Sequence, residues 1–262
     1  MDSPFPKSSS APGEGRIVAR LLPNGQPGFE SITYQYPLKL ISPSLTAGEK
    51  SALVFLLSYG GGLVGGDHVH LEILVRPDAR LSIVTQGHTK IFKAASKTIV
   101  TRQALRARIA AHAGLCLLPD PVQPFDDSRT SALTGRPLRG SMHGHGVFGS
   151  LLLRGPQMQR LGEFFLAEFG RLPRLGARDF RTVEAREKEE TDRSTEDSWR
   201  LQRLAMEKQH AVLWSAASVR GCVVVKFGAA TVEGGRVWIA HMLSREGSIT
   251  ELYGDQAMIC LR

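Results

Sequence analysis

Asp67, at the end of a glycine-dense stretch over residues 60–67, is the carboxylate best placed to do chemistry in this chain. Gly61, Gly62, Gly65 and Gly66 allow positive φ angles and close backbone approach there, so that Asp67 can bind neighbouring amides or a cation. His68 and His70 follow two residues apart, a spacing that puts both imidazoles on one face of a strand; His143 and His145 repeat the His-x-His pattern in a glycine-rich stretch. Neither pair has an evident third ligand nearby, and closing the turn is the plainer role for Asp67. A phosphate loop is excluded in detail: no GxxxxGK[ST] is present, no lysine follows the glycines, and the next element alternates like a strand. Thr85, Gln86, Thr89 and Lys90 cluster donors after a strand signal, where satisfying backbone groups at a corner is the plainer role and lining a channel or a partner surface the alternative. Pro119, Pro121 and Pro124 cannot donate to a ladder, which ends a strand or marks an edge before Phe125. No nucleophile and base can be paired; Cys116 lies in an apolar strand, where a thiol is inert.

These residues need short strands to hold them. Residues 52–57 form a continuous apolar run, and over 68–75 Val69, Leu71, Ile73 and Val75 alternate with His70 and Glu72. Further strand signals fall at 80–85 and 98–110, the latter setting Leu105, Ala107 and Ile109 against Arg106 and Arg108. Short links between such runs predict antiparallel layering. A helix is predicted near 157–170, the longest of the few, from Met158, Leu161, Phe164, Phe165 and Phe169; that aromatic stripe reads as core packing, with a groove for a partner helix as the alternative. The stretch 199–214 reads as further helix, 219–227 as strand and 236–245 as helix. The fold class is therefore mostly β (α+β).

The 262 residues suffice for one domain over 15–262, with a disordered tail at 1–14 and a charged, flexible insertion at 184–198. Three scattered cysteines argue against a disulfide framework and for a reducing, cytoplasmic setting. The polar N-terminus lacks the apolar core of a secretory signal, and no apolar run is long enough to span a bilayer. A net charge of +8 suits nucleic acid, a membrane surface or an acidic protein partner and does not choose among them, but the basic residues are dispersed without interleaved aromatics, which weighs against nucleic acid.

Residues 37–43, the glycine loop at 60–67, residues 85–92 and residues 117–125, in this order and spacing, resemble the UreD/UreH family of urease accessory proteins, in a eukaryotic, fungal-like form. Stretches after residue 151 and the final residues 244–262 resemble the end of eukaryotic members. The resemblance implies a layered β-helical core and a non-enzymatic scaffold. It implies binding to apo-urease and to the UreF and UreG accessory proteins, with no tightly bound cofactor and only transient Ni2+. Against the family pattern a central block is missing: Phe125 passes almost at once into residues 133–137 and 142–144, which resemble a much later part. Sheet edges that the block covers would then lie open. The rival classes are a metal-dependent enzyme, which needs a convergent ligand set, and a β-sheet interaction module unrelated to urease.

Overall fold

The computed structural model describes residues 11–44, 48–96, 98–125, 142, 144–172 and 195–262. Where length predicts one domain, the chain folds as two compact units: residues 1–141 with 249–262, and residues 142–248.

The first unit is a coil of short strands. Strands β1 (Glu14–Leu21) and β2 (Pro27–Tyr34) pair as an antiparallel hairpin, and β3 (Leu38–Ile41) pairs antiparallel with β4 (Ala52–Ser58). From β4 onward the chain winds instead of folding back. A first turn of the coil runs through β4, β5 (Gly62–Leu63) and β6 (His68–Val75); a second through β7 (Arg80–Val84), β8 (Thr89–Ile91) and β9 (Arg102–Ile109); a third begins with β10 (Gly114–Leu117) and β11 (Val122–Pro124). Corresponding strands of successive turns stack in parallel, giving β4-β7-β10, β5-β8-β11 and β1-β6-β9. The β-helical, mostly β expectation holds. The antiparallel layering does not, because each short link turns a corner of the coil, and hydrogen-bonded partners lie roughly 30 residues apart.

Alternation decides what the coil encloses. Val69, Leu71, Ile73 and Val75 are buried on the inner face of β6, as predicted, and meet Ile17, Leu38, Val54, Leu81 and Ile83 in one core. The C-terminal segment closes part of this unit: the Ser51 hydroxyl bonds Ser82 Oγ and donates to the Tyr253 carbonyl, both at 2.7 Å. Residues 11–14, predicted as tail, are tied down: Gly13 N–H donates to the Tyr36 carbonyl at 2.7 Å and β1 starts at Glu14. Residues 1–10 lie outside the described residues, as do 126–141, the stretch in which the family pattern leads one to expect a further block.

The second unit carries an antiparallel sheet in the order β12 (Val147–Arg154), β14 (Cys222–Ala229), β13 (Leu213–Val219). Its helices are α1 (Gln159–Gly170), α2 (Thr195–Gln209) and α3 (Val232–Glu246). Helix α1 is the predicted aromatic helix, but α2 and α3 are longer, with 15 residues each against 12. Helix α2 gives a weak signal in the sequence because two of its buried positions, Arg203 and Glu207, are charged and leave no clear apolar stripe. Trp214, predicted at the end of that helix, lies in β13. The break comes at Ala211, whose positive φ of 47° cannot continue a helix. Of the charged stretch 184–198, residues 195–198 open α2 and the others lie outside the described residues. Among the described residues no helix is long and apolar enough to cross a membrane.

Candidate functional site

The glycine loop forms the corner between β4 and β6, and its geometry follows from the glycines. Gly66 has φ +93°, a conformation that a side chain disfavours. Gly62 is extended, but a Cβ there would collide with the Lys90 carbonyl of the next turn, so glycine is what lets β5 stack on β8. Asp67 closes the corner twice over. Its Oδ2 accepts from Val64 N–H at 2.8 Å, and its own N–H donates to the Val64 carbonyl at 3.0 Å. The Thr101 hydroxyl donates to the same carbonyl at 3.0 Å. This is an aspartate turn of the kind its neighbours predict.

His68 and His70 share the outward face of β6, as their spacing requires. His68 Nε2 lies 3.3 Å from the Val100 carbonyl, while His70 Nε2 is buried without a hydrogen bond among the described residues. His145 stacks on Phe148 at 5.2 Å in the second unit; its predicted companion His143 lies outside the described residues. Among the described residues no group of three or more His, Cys, Asp or Glu side chains is placed to hold a metal ion.

A second corner, between β7 and β8, gathers the other predicted residues and two that sequence reasoning passed over. Thr85, buried at the end of β7, donates from its hydroxyl to Asp120 Oδ2 at 2.9 Å and accepts from Asp120 N–H at 2.7 Å. Gly87 N–H donates to the same carboxylate oxygen at 2.9 Å. Cys260 Sγ accepts from Thr85 N–H and donates to the Thr85 carbonyl, each at 3.4 Å. Burial pushes the Cys260 thiol above its ordinary value, and pushes Cys116 up to about 12, so both thiols stay protonated and unreactive at neutral pH. Asp120 stands among Pro119 and Pro121 in the sequence and reaches Thr85 only because the coil brings its third turn beside its second. Gln86 and Lys90 point to solvent, Thr89 N–H donates to the Pro121 carbonyl at 3.2 Å, and Phe125 stacks on Phe92 at 5.5 Å. Thr85, Thr89 and Asp120 also line the polar side of a cavity of about 130 Å³, whose apolar wall includes Leu38, Leu63 and Leu105. Both corners are closed by the hydrogen bonds named above, and the exposed Gln86 and Lys90 add polar surface at the second.

The aromatic stripe of α1 is core at Phe165, while Phe164 is half-buried and Phe169 is 36% exposed. Phe165 is fully buried against Trp214 and Trp238, and Phe169 lies 5.5 Å from Trp214.

Comparison with known proteins finds a likeness for this coil. The family described as UreD urease accessory protein matches residues 12–135, a span that holds both corners. Residues 12–135 thus resemble the UreD family. A urease accessory protein ureD-like chain of Schizosaccharomyces pombe is 28% identical over 83% of this chain and 89% of its own length. Urease accessory protein 4 of Cryptococcus neoformans is 37% identical over 44% of this chain, and urease accessory protein D of Arabidopsis thaliana 34% over the same share. The chain spans only 40% and 39% of those two relatives. The S. pombe alignment is 269 positions long yet covers about 217 of the 262 residues here (83%), so about 52 of its positions have no counterpart in this UreD-like chain.

Proposed function

We propose that this protein is a urease maturation scaffold of the UreD type, working in the cytoplasm through its surfaces and not as an enzyme. It binds apo-urease on one side and the UreF and UreG accessory proteins on the other, and so supports nickel insertion into the urease active site. The observation that carries the reading is the family match over residues 12–135, which contains the glycine corner and the Thr85–Asp120 corner as one continuous piece of coil. Nickel is cargo in this reading. Asp67, His68 and His70, at one corner and the adjoining outward face of β6, supply a transient contact for it, and no ion is held permanently.

The experiment is co-expression of the full chain with apo-urease, UreF and UreG, reading capture and urease nickel content together. Selective capture with a gain in nickel is the expected result; failure to capture any of the three overturns the scaffold. Asp67 separates the cargo role from the turn. In Asp67→Asn the side-chain oxygen still accepts from Val64 N–H but the charge is gone, so a folded variant with reduced nickel delivery supports a metal contact. Unchanged delivery in that variant leaves Asp67 a turn residue alone.

A further inference from the structure

The coil ends on an unfinished edge. Strand β9 pairs with β6 on one side and, among the described residues, with nothing on the other. The inner ladder shows what is missing. Leu105 continues the line of Leu71, and Ile109 that of Val75, in register. Yet Leu71 and Val75 are fully buried while Leu105 is 37% and Ile109 49% exposed. Two aliphatic side chains that belong to the interior by register thus lie at the surface, where apolar area calls for a partner.

The outer face of the same strand carries Arg102, Arg106 and Arg108, all exposed and none in an ion pair among the described residues. The nearest acidic group across the ladder is Glu72 of β6, opposite Arg106. Backbone polarity along β9 is fixed as well: Arg102 N–H donates to the Asp67 carbonyl and Ala110 N–H to the Val75 carbonyl, so even-numbered amides face β6. The amides of Gln103, Leu105, Ala107 and Ile109 therefore face the open edge.

We propose that this edge takes up one extended segment of a partner protein, a strand in which acidic and aliphatic residues alternate. Its aliphatic side chains extend the Leu105 and Ile109 ladder, its carboxylates meet the three arginines, and its backbone pairs with the four outward amides. The chain's net charge of +8 favours an acidic partner over a second copy, whose own arginines would oppose these. The inference does not depend on the urease reading.

The test uses the full chain and a blocked eight-residue peptide of alternating valine and glutamate, read by amide hydrogen exchange. Binding should slow exchange at Gln103, Leu105, Ala107 and Ile109, while a valine–lysine peptide should not. Ala107→Pro removes one outward donor and should abolish the effect, with the even-numbered amides still protected by β6 as the check that the strand persists. The double variant Arg106→Glu/Arg108→Glu should weaken the acidic peptide by about tenfold or more and gain affinity for the lysine one. Three results would overturn the proposal: no protection by the acidic peptide; the same four amides already protected in the dilute free chain, which means the edge is covered from within the chain; or protection that rises with protein concentration alongside a dimer in sedimentation, which makes a second copy the occupant.

Discussion

In the coil unit the interior is a stack of aliphatic side chains, Ile17, Leu71, Ile73, Leu81 and Ile83 among them, and the buried polar groups are hydroxyls such as Ser51 and Ser82. The second unit instead buries ions among aromatic rings. Arg203, 1% exposed, bonds Glu207 at 2.7 Å and lies 3.6 Å from Glu168, while the indole N–H groups of Trp214 and Trp238 both donate to Glu207 Oε1. The two interiors fail differently. An aliphatic stack loses stability in proportion to the volume removed, whereas a buried ion cluster depends on every member at once.

The largest effect is therefore expected at Glu207. In Glu207→Ala, Arg203 keeps only the more distant Glu168 as a counter-charge, and two buried indoles lose their acceptor. A loss of about 3–5 kcal/mol follows. All three tryptophans, Trp199, Trp214 and Trp238, lie in the second unit, so a urea titration followed by tryptophan emission reads it. Glu207→Gln keeps an acceptor without the charge and should fall between the two. If Glu207→Ala costs under about 1 kcal/mol, the ion cluster is not what holds this unit.

Next in size is the coil's own interior. Leu71 is fully buried in an inner strand of its sheet, and Leu71→Ala should cost about 2–5 kcal/mol, read from amide exchange in β1 and β6. A cost equal to that of a surface residue would mean the stack relaxes around the gap.

How far each interior could be read from the sequence follows from the same contrast. The alternation at Val69, Leu71, Ile73 and Val75 is local, so the inner face of β6 was legible. The parallel stacking was not, because partners such as Leu71 and Leu105 are brought together by winding, and no sequence repeat marks the turns. The extent of helix α2 was obscured because its first residues, 195–198, read as part of the solvated charged stretch. At the candidate site the glycine corner was legible, since Val64 and Asp67 bond across three residues. The Thr85–Asp120–Cys260 cluster was only half legible: Thr85 stood out, but its partners lie 35 and 175 positions away and nothing local marks Asp120 as anything but part of a proline-rich loop.

A smaller effect should come from pH. His241 stacks on Trp199 at 5.3 Å, and its pKa is lowered by burial first and then by the charges of Arg203 and Arg245. The folded protein therefore holds this imidazole neutral where the unfolded chain, with a value near ~6.5, takes up a proton. Because the unfolded state binds the extra proton, stability is full above that value and declines as pH falls below it, towards the lower folded-state value. His241→Phe keeps a ring against Trp199 and should flatten this slope in tryptophan-detected titrations; an unaltered slope assigns the acid sensitivity to another group.

The smallest change is expected at Leu105, and it bears most directly on the contrast between closed and open coil. Leu105 and Leu71 are the same side chain on the same ladder, one turn apart, yet Leu105 is 37% exposed and Leu71 is not exposed at all. Burial scales with the area removed from water, and a side chain that keeps much of its surface wet and can relax into solvent leaves little cavity when truncated. Leu105→Ala should accordingly cost under about 1 kcal/mol, against several for Leu71→Ala by the same exchange measurement. A cost at Leu105 matching that at Leu71 would show that the next rung of the ladder is filled in solution. The open edge would then be occupied already, and the strand-accepting role of β9 would have to be given up along with it.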